Sequence, residues 1–264
     1  MEMPEWIWLP GSRNLSCRRN GNISTVVQPG DPAPSGGTFD YAKGPSRNEV
    51  GDVTFSGHVF GEDCVDINGA QSAYMFCAES VYLKRSTTGT ILPIAHRGDP
   101  SPAGANYFGS YGAILNARGD IVFLSELTDA TLTHVGVFLY SGGKYTVIAK
   151  PGDPMPGGGR FATGGGFSHD AALNNRGDVV FVATLNDGNQ GLYVWRNGTL
   201  SLVAKTGSPL PGGVIANLDD FAAGQASSMV SINEPGQILF AANVTPLDDP
   251  TALTATVLVA TPRP

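Results

Sequence analysis

The chain has 264 residues, 41% of them hydrophobic, with 35 Gly, 19 Pro and a formal net charge of −7. That is enough apolar material for one large all-β domain, and no apolar run reaches the roughly 18 residues of a membrane-spanning helix. With 16 basic against 23 acidic residues, and the basic ones scattered apart from Arg18 and Arg19, the composition excludes the phosphate backbone of a nucleic acid as a partner.

Residues 1–19 lack the charged-then-apolar layout of a signal peptide and read as an irregular N-terminal segment. From residue 20 to 264 the chain reads as one repeat domain. Its marker is Asn-x-x-Gly-x-x-x-Phe, which occurs at Asn48–Phe55, Asn116–Phe123, Asn174–Phe181 and Asn233–Phe240, at intervals of 68, 58 and 59 residues. A second marker keeps the same beat: PGDPAPSGG from Pro29, RGDPSPAG from Arg97, PGDPMPGGG from Pro151 and TGSPLPGG from Thr206. Two markers in phase define a structural period.

Each period predicts four strands. The Asn-x-x-Gly is a turn, because Asn tolerates the left-handed region and bonds its own backbone while Gly takes a positive φ. One strand precedes it, as in YGAIL before Asn116. After it comes a continuous apolar, β-branched run (DVTFSG, DIVFLSEL, DVVFVATL, QILFAANV), the pattern of a strand covered on both faces. A third strand follows at SVYLK, GVFLY, GLYVW or TVLVA. Then comes a tight turn, clearest at Asn197-Gly198, and a fourth strand ending at the Gly-Asp-Pro loop. Four periods of four strands predict a β-propeller with blades near 31–98, 99–152, 153–207 and 208–264. The last period stops one strand short. RNGNISTVVQPGD from Arg19 matches RNGTLSLVAKTGS from Arg196, so residues 20–30 are expected to join the last blade and close the ring. A larger propeller containing these blades, with a homodimer if the ring is incomplete, and a β-solenoid are the alternatives.

Between the first apolar run and its third strand lies a polar insertion, EDCVDINGAQSAYMFCAE, bracketed by Cys64 and Cys77. In an oxidising compartment the two would staple it; two unpaired thiols are the other reading. Cys17 is the odd one. No metal or cofactor is called for: Asp31, Asp99 and Asp153 recur in the Gly-Asp-Pro loops as ordinary turn formers.

The tandem motif resembles the bacterial "choice-of-anchor, NxxGxxxF-containing" repeat proteins over roughly residues 20 to 264. The resemblance implies an exported or surface-displayed repeat domain, extracellular in location. This chain shows no signal peptide or anchor, and the resemblance transfers no catalytic residues.

Function is expected where the copies disagree. Five residues before each motif Asn stand Lys43, Tyr111, His169 and Ser228, and Asp170 replaces a Gly of the first two repeats. On the inner strands of a propeller these would share one level of the central channel. The leading reading is a binding module for a small molecule, glycan or protein at that channel. The alternative is a hydrolase of carboxylic or phosphoric esters, in which Ser228 attacks, His169 or Lys43 is the base, Asp170 orients the imidazole and Tyr111 donates to the oxyanion.

Overall fold

The computed structural model of the protein describes residues 15–19, 22–61, 64–65, 76–128, 133–162, 171–218 and 230–261. Among these there is no helix, and so none long and apolar enough to cross a membrane. All strand pairings are antiparallel.

The chain opens with the hairpin β1 (Leu15–Arg19) and β2 (Asn22–Val27). Blade 1 contains β3 (Thr38–Arg47), β4 (Val53–Phe60), β7 (Ser80–Lys84) and β8 (Ile91–Ala95). Its insertion carries the two-residue strands β5 (Cys64–Val65) and β6 (Phe76–Cys77). Blade 2 is β9 (Asn106–Leu115), β10 (Ile121–Thr128), β11 (Thr133–Ser141) and β12 (Lys144–Ala149). Blade 3 is β13 (Ala171–Leu173), β14 (Val179–Thr184), β15 (Gln190–Arg196) and β16 (Thr199–Lys205). In these three blades the strands meander in chain order. Pro93 sits in the outermost strand of blade 1, where a missing N–H costs no inner ladder bond.

Blade 4 departs from the pattern. Its first strand is split into β18 (Gly213–Asn217) and β19 (Val230–Ile232), both pairing with β20 (Ile238–Pro246), and β20 also pairs with β21 (Thr254–Ala260). A short β17 (Pro209–Leu210) pairs with β18.

The first strands of successive blades pack on one another, β3 on β9, β9 on β13 and β13 on β19, which makes them the inner strands of a propeller-like array. The apolar second strands explain themselves here. Ile121 and Phe123 face blade 1 with Val81, Leu83 and Ile94, while Val122 and Leu124 face blade 3 with Val179 and Phe181. Both faces are covered here, so both parities of β10 are apolar from Ile121 to Leu124. The motif Phe is fully buried in blades 1 to 3 and lies opposite a third-strand aromatic: Phe55 on Tyr82, Phe123 on Phe138 and Phe181 on Tyr193, with ring centroids 5.6, 5.4 and 5.8 Å apart. Burial of each such ring contributes about 2 kcal/mol. The Gly-Asp-Pro loops are also turn devices. Asp31 and Asp153 each accept a bond from the backbone N–H three residues earlier, and Ser208 does the same in the fourth copy.

Two expectations are corrected. Residues 15–19 are not irregular, because β1 pairs with β2 along its length and Leu15 is buried. Nor does residue 20–30 close the ring in the described residues. β2 pairs with β1 alone, and their Leu15, Val26 and Val27 pack against Phe39, Val53 and Phe55 of blade 1. The apolar face of blade 1 therefore holds β2, the strand that was expected on blade 4. The solenoid alternative also fails, since separate antiparallel meanders replace the continuous parallel ladders of a β-helix.

Candidate functional site between blades 1 and 2

The inner strands β3 and β9 are bulged at matching places. Between Lys43 and Ser46, and again between Tyr111 and Ile114, three residues of the inner strand span two of the second strand. The residue after each polar position is a glycine with positive φ, Gly44 at 58° and Gly112 at 63°, a conformation a bulge of this kind demands. Bulges re-aim side chains, and the two re-aimed here are the sequence-predicted Lys43 and Tyr111.

Lys43 meets the carboxylate of Glu79, and Tyr111 lies in the field of the same group. Glu79, buried just before β7, accepts from Lys43 Nζ at 2.6 Å and from the Tyr41 hydroxyl at 3.0 Å. Its backbone carbonyl accepts from Ser110 N of blade 2 at 2.7 Å, which fixes it at the seam between blades. A second buried carboxylate, Glu126 on β10, lies beside it. Gly109 leaves the room it needs, since a Cβ there would stand 3.4 Å from Glu126 Oε2 and 3.7 Å from Ala78 Cβ. Burial first, and the charge of Glu79 second, push the Glu126 carboxyl above its ordinary range. Tyr111 lies in the field of both acids. Burial, then Glu126 and Glu79, raise its phenol far above the usual value, so it remains a proton donor at any physiological pH. Lys43 is 58% exposed at the rim. The seam thus offers two carboxylates as acceptors and Lys43, Tyr41 and Tyr111 as donors. Behind it, Ser110 and Ser125 are buried with their hydroxyls 2.9 Å apart, and His58 stacks on Tyr41 with ring centroids 5.5 Å apart.

Of the five residues expected at the channel, Lys43 pairs with Glu79, and Tyr111 lies in the field of Glu126 and Glu79. His169, Asp170 and Ser228 lie outside the described residues. Sequence reasoning missed Glu79 and Glu126. Glu126 had a signal: three residues after each motif Phe stand His58, Glu126, Thr184 and Asn243, polar in every copy at the end of an otherwise apolar run. Glu79 had none, because it borders the irregular insertion and has no motif neighbour.

A model of one protein family matches residues 68–254. The chain belongs to DUF7453, a family of unknown function. Comparison with curated proteins gives no match. Among solved structures this DUF7453 chain is similar to a gluconolactonase from Xanthomonas campestris, at 12% identity and a TM-score of 0.43 over 95% of this chain and 70% of that one. It is also similar to a fucose-specific lectin from Aleuria aurantia, at 10% identity and a TM-score of 0.36 over 97% and 90% of the two chains.

Proposed function

We propose that this DUF7453 chain is a binding module that takes a polyhydroxylated ligand, a glycan or sugar-like small molecule, at the seam between the inner strands of blades 1 and 2. The carrying observation is that two buried carboxylates sit at bulged inner strands with Lys43, Tyr41 and Tyr111 around them. Carboxylates accept from vicinal hydroxyls, tyrosines donate and stack, and a lysine at the rim orients the ligand. The site lies wholly within two complete blades, so the reading does not depend on how the ring closes.

Titration calorimetry against a panel of neutral and acidic oligosaccharides tests it. Glu79→Gln and Tyr111→Phe should each weaken the best ligand by about tenfold, the scale of one charge-assisted hydrogen bond. A panel without a single ligand, or a Glu79→Gln variant that binds as the wild type does, would count against the site.

The second reading is hydrolysis of a carboxylic or phosphoric ester at the same level of the channel, with Ser228, His169, Asp170, Lys43 and Tyr111 in the roles given above. What favours it is Glu126, an acid kept protonated beyond its usual range and so able to donate to a leaving group. Activated esters assayed with wild type, Ser228→Ala, His169→Ala and Lys43→Ala decide it, and turnover that survives all three substitutions rules it out.

An exported or surface location belongs to the same proposal. It rests on the repeat resemblance and on the backbone register that sets Cys64 opposite Cys77. Fractionation of the native host, with the protein found only in the cytosol, would overturn it.

A further inference from the structure

One cross-strand row of blade 1 breaks the repeat at the two positions that flank its second-strand residue. Two residues before the motif Phe, the second strand carries Val53, Ile121, Val179 and Ile238 in the four blades. The first-strand residue opposite is Arg47 in blade 1, against Leu115, Leu173 and Ile232 in the others. The third-strand residue opposite is Lys84 in blade 1, against Tyr140, Trp195 and Ala260. Residues directly opposite one another share a face of the sheet. In blades 2 and 3 that row packs into the preceding blade: Leu115, Ile121 and Tyr140 gather with Ile94 and Ala95, and Leu173, Val179 and Trp195 join the cluster of Val137 and Ile148.

In blade 1 the same row faces the β1–β2 hairpin and leaves a cavity of about 260 Å³, lined by Arg47, Lys84, Arg85, Ser24, Thr25 and Ser86. Asp52 pairs with Arg85 at 2.8 Å. Lys84 donates one of its three ammonium N–H groups to the carbonyl of Val26. Arg47 has no ion pair among the described residues, and its guanidinium lies against Gly51, where a Cβ would stand 3.3 Å from Nη2. Three cations and three hydroxyls therefore share one cleft with one neighbouring carboxylate, in a chain whose net charge is −7. Arg47 and Lys84 flank Val53 from two strands apart, so their charges add at the cavity, where apolar residues fill the space in the next two blades. A bound anion fills that space and neutralises the charge.

We propose that this cavity binds the oxyanion of a small phosphate or sulfate monoester. The planar fork of Arg47 matches two oxygens of a tetrahedral anion, Lys84 adds a point charge, and the Thr25 hydroxyl supplies a neutral donor. The volume falls just below the roughly 300–1,000 Å³ of sites for drug-sized ligands, which suits a phosphorylated or sulfated monosaccharide. Lys84 ends β7 and Glu79 precedes it, so the anion site and the seam site lie at opposite ends of one strand and are separate.

Calorimetry at low ionic strength with inorganic phosphate, inorganic sulfate, glucose 6-phosphate and glucose 6-sulfate tests the proposal, with glucose as the neutral control. The esters should bind, affinity should fall as salt rises, and glucose should give no heat. Arg47→Leu and Lys84→Tyr restore the residues of blade 2, and each should weaken binding by at least about tenfold while the urea midpoint stays at or above that of wild type. In the wild-type protein, amide shifts on adding glucose 6-phosphate should centre on Ser24, Thr25 and Ser86. The proposal is overturned if none of the four anions binds, if glucose binds equally, if the folded variants keep wild-type affinity, or if the shifts fall elsewhere.

Discussion

Asn116 donates from its side-chain amide to the carbonyl oxygen of Asn174, 58 positions along the chain and one blade away, at 3.0 Å. Asn174 repeats the bond on Asn233, 59 positions further, at 3.2 Å. The motif asparagine closes its own turn and ties that turn to the next. Asn116 Oδ1 accepts from the backbone of Arg118 and Asp120, and Nδ2 also donates to the Asp120 carboxylate at 2.8 Å. Asn48 closes its turn by accepting from Gly51 and Asp52, and among the described residues it makes no bond to the next blade.

Truncation should separate the two roles. Asn116→Ala or Asn174→Ala leaves buried partners unsatisfied in two blades and should lower stability by about 2–4 kcal/mol, whereas Asn48→Ala should cost about 1–2 kcal/mol. Urea unfolding with an unchanged slope measures both. Equal losses at the three positions would remove the inter-blade tie as the reason for the Asn.

Glu126 should leave a signature in the pH dependence of stability. Burial and then Glu79 raise its folded-state value above the ordinary 4.5. Between those two values the folded protein holds more protons than the unfolded chain, so stability falls as pH rises. The contribution is fully present below the ordinary carboxylate range and is lost as pH rises through the raised value. Glu126→Gln should flatten this part of the profile and be more stable than wild type at neutral pH. Glu79→Gln should move the window toward lower pH. Urea midpoints from about pH 4 to pH 8 read both effects, and a wild-type curve that rises through the window would show that Glu126 is not held protonated.

The four-strand period was legible because turns and apolar runs obey local rules. Asn-x-x-Gly needs its residues whatever lies nearby, and a strand covered on both faces has no parity to hide. Strand β2 was misplaced for a reason of the same kind. Its sequence matches a fourth strand in general, and only the packing of Leu15, Val26 and Val27 on blade 1 selects which blade it serves. At the seam, Lys43 and Tyr111 were visible as departures at an aligned position. Glu79 was not, because its place depends on Ser110 N donating from another blade, a relation without sequence spacing.

The insertion of blade 1 makes a covalent prediction. β5 and β6 set Cys64 directly opposite Cys77 in an antiparallel pair, the backbone arrangement that brings two Cβ positions within about 4.5–5.5 Å. After oxidative refolding, thiol titration should find one free thiol of the three, assigned to Cys17, and digestion should recover the 64–77 peptides joined. Cys64→Ser with Cys77→Ser should lower stability by about 2–3 kcal/mol under oxidising conditions and by little under reducing ones, since the bridge closes a short loop. Three reactive thiols after oxidation would contradict the pairing.

Blade 4 presents the opposite problem, a strand edge without a partner among the described residues. Leu239 lies opposite Val259 and Ala241 opposite Val257, so these residues share a face, and Val257 and Val259 are 63% and 61% exposed. The other parity, Phe240 and Leu258, packs on blade 3. Among the described residues β21 pairs only with β20, and its sequence TATVLVA contains neither charge nor proline. Uncharged β-branched edges of this kind pair with other chains. Light scattering should therefore show association that grows with protein concentration, and Val257→Lys with Val259→Lys should suppress it. Because both side chains point away from the core, the double variant should change unfolding free energy by no more than about 1 kcal/mol. A wild type that stays monomeric at every concentration, or a double variant that associates as before, would show that this face is not the adhesive one.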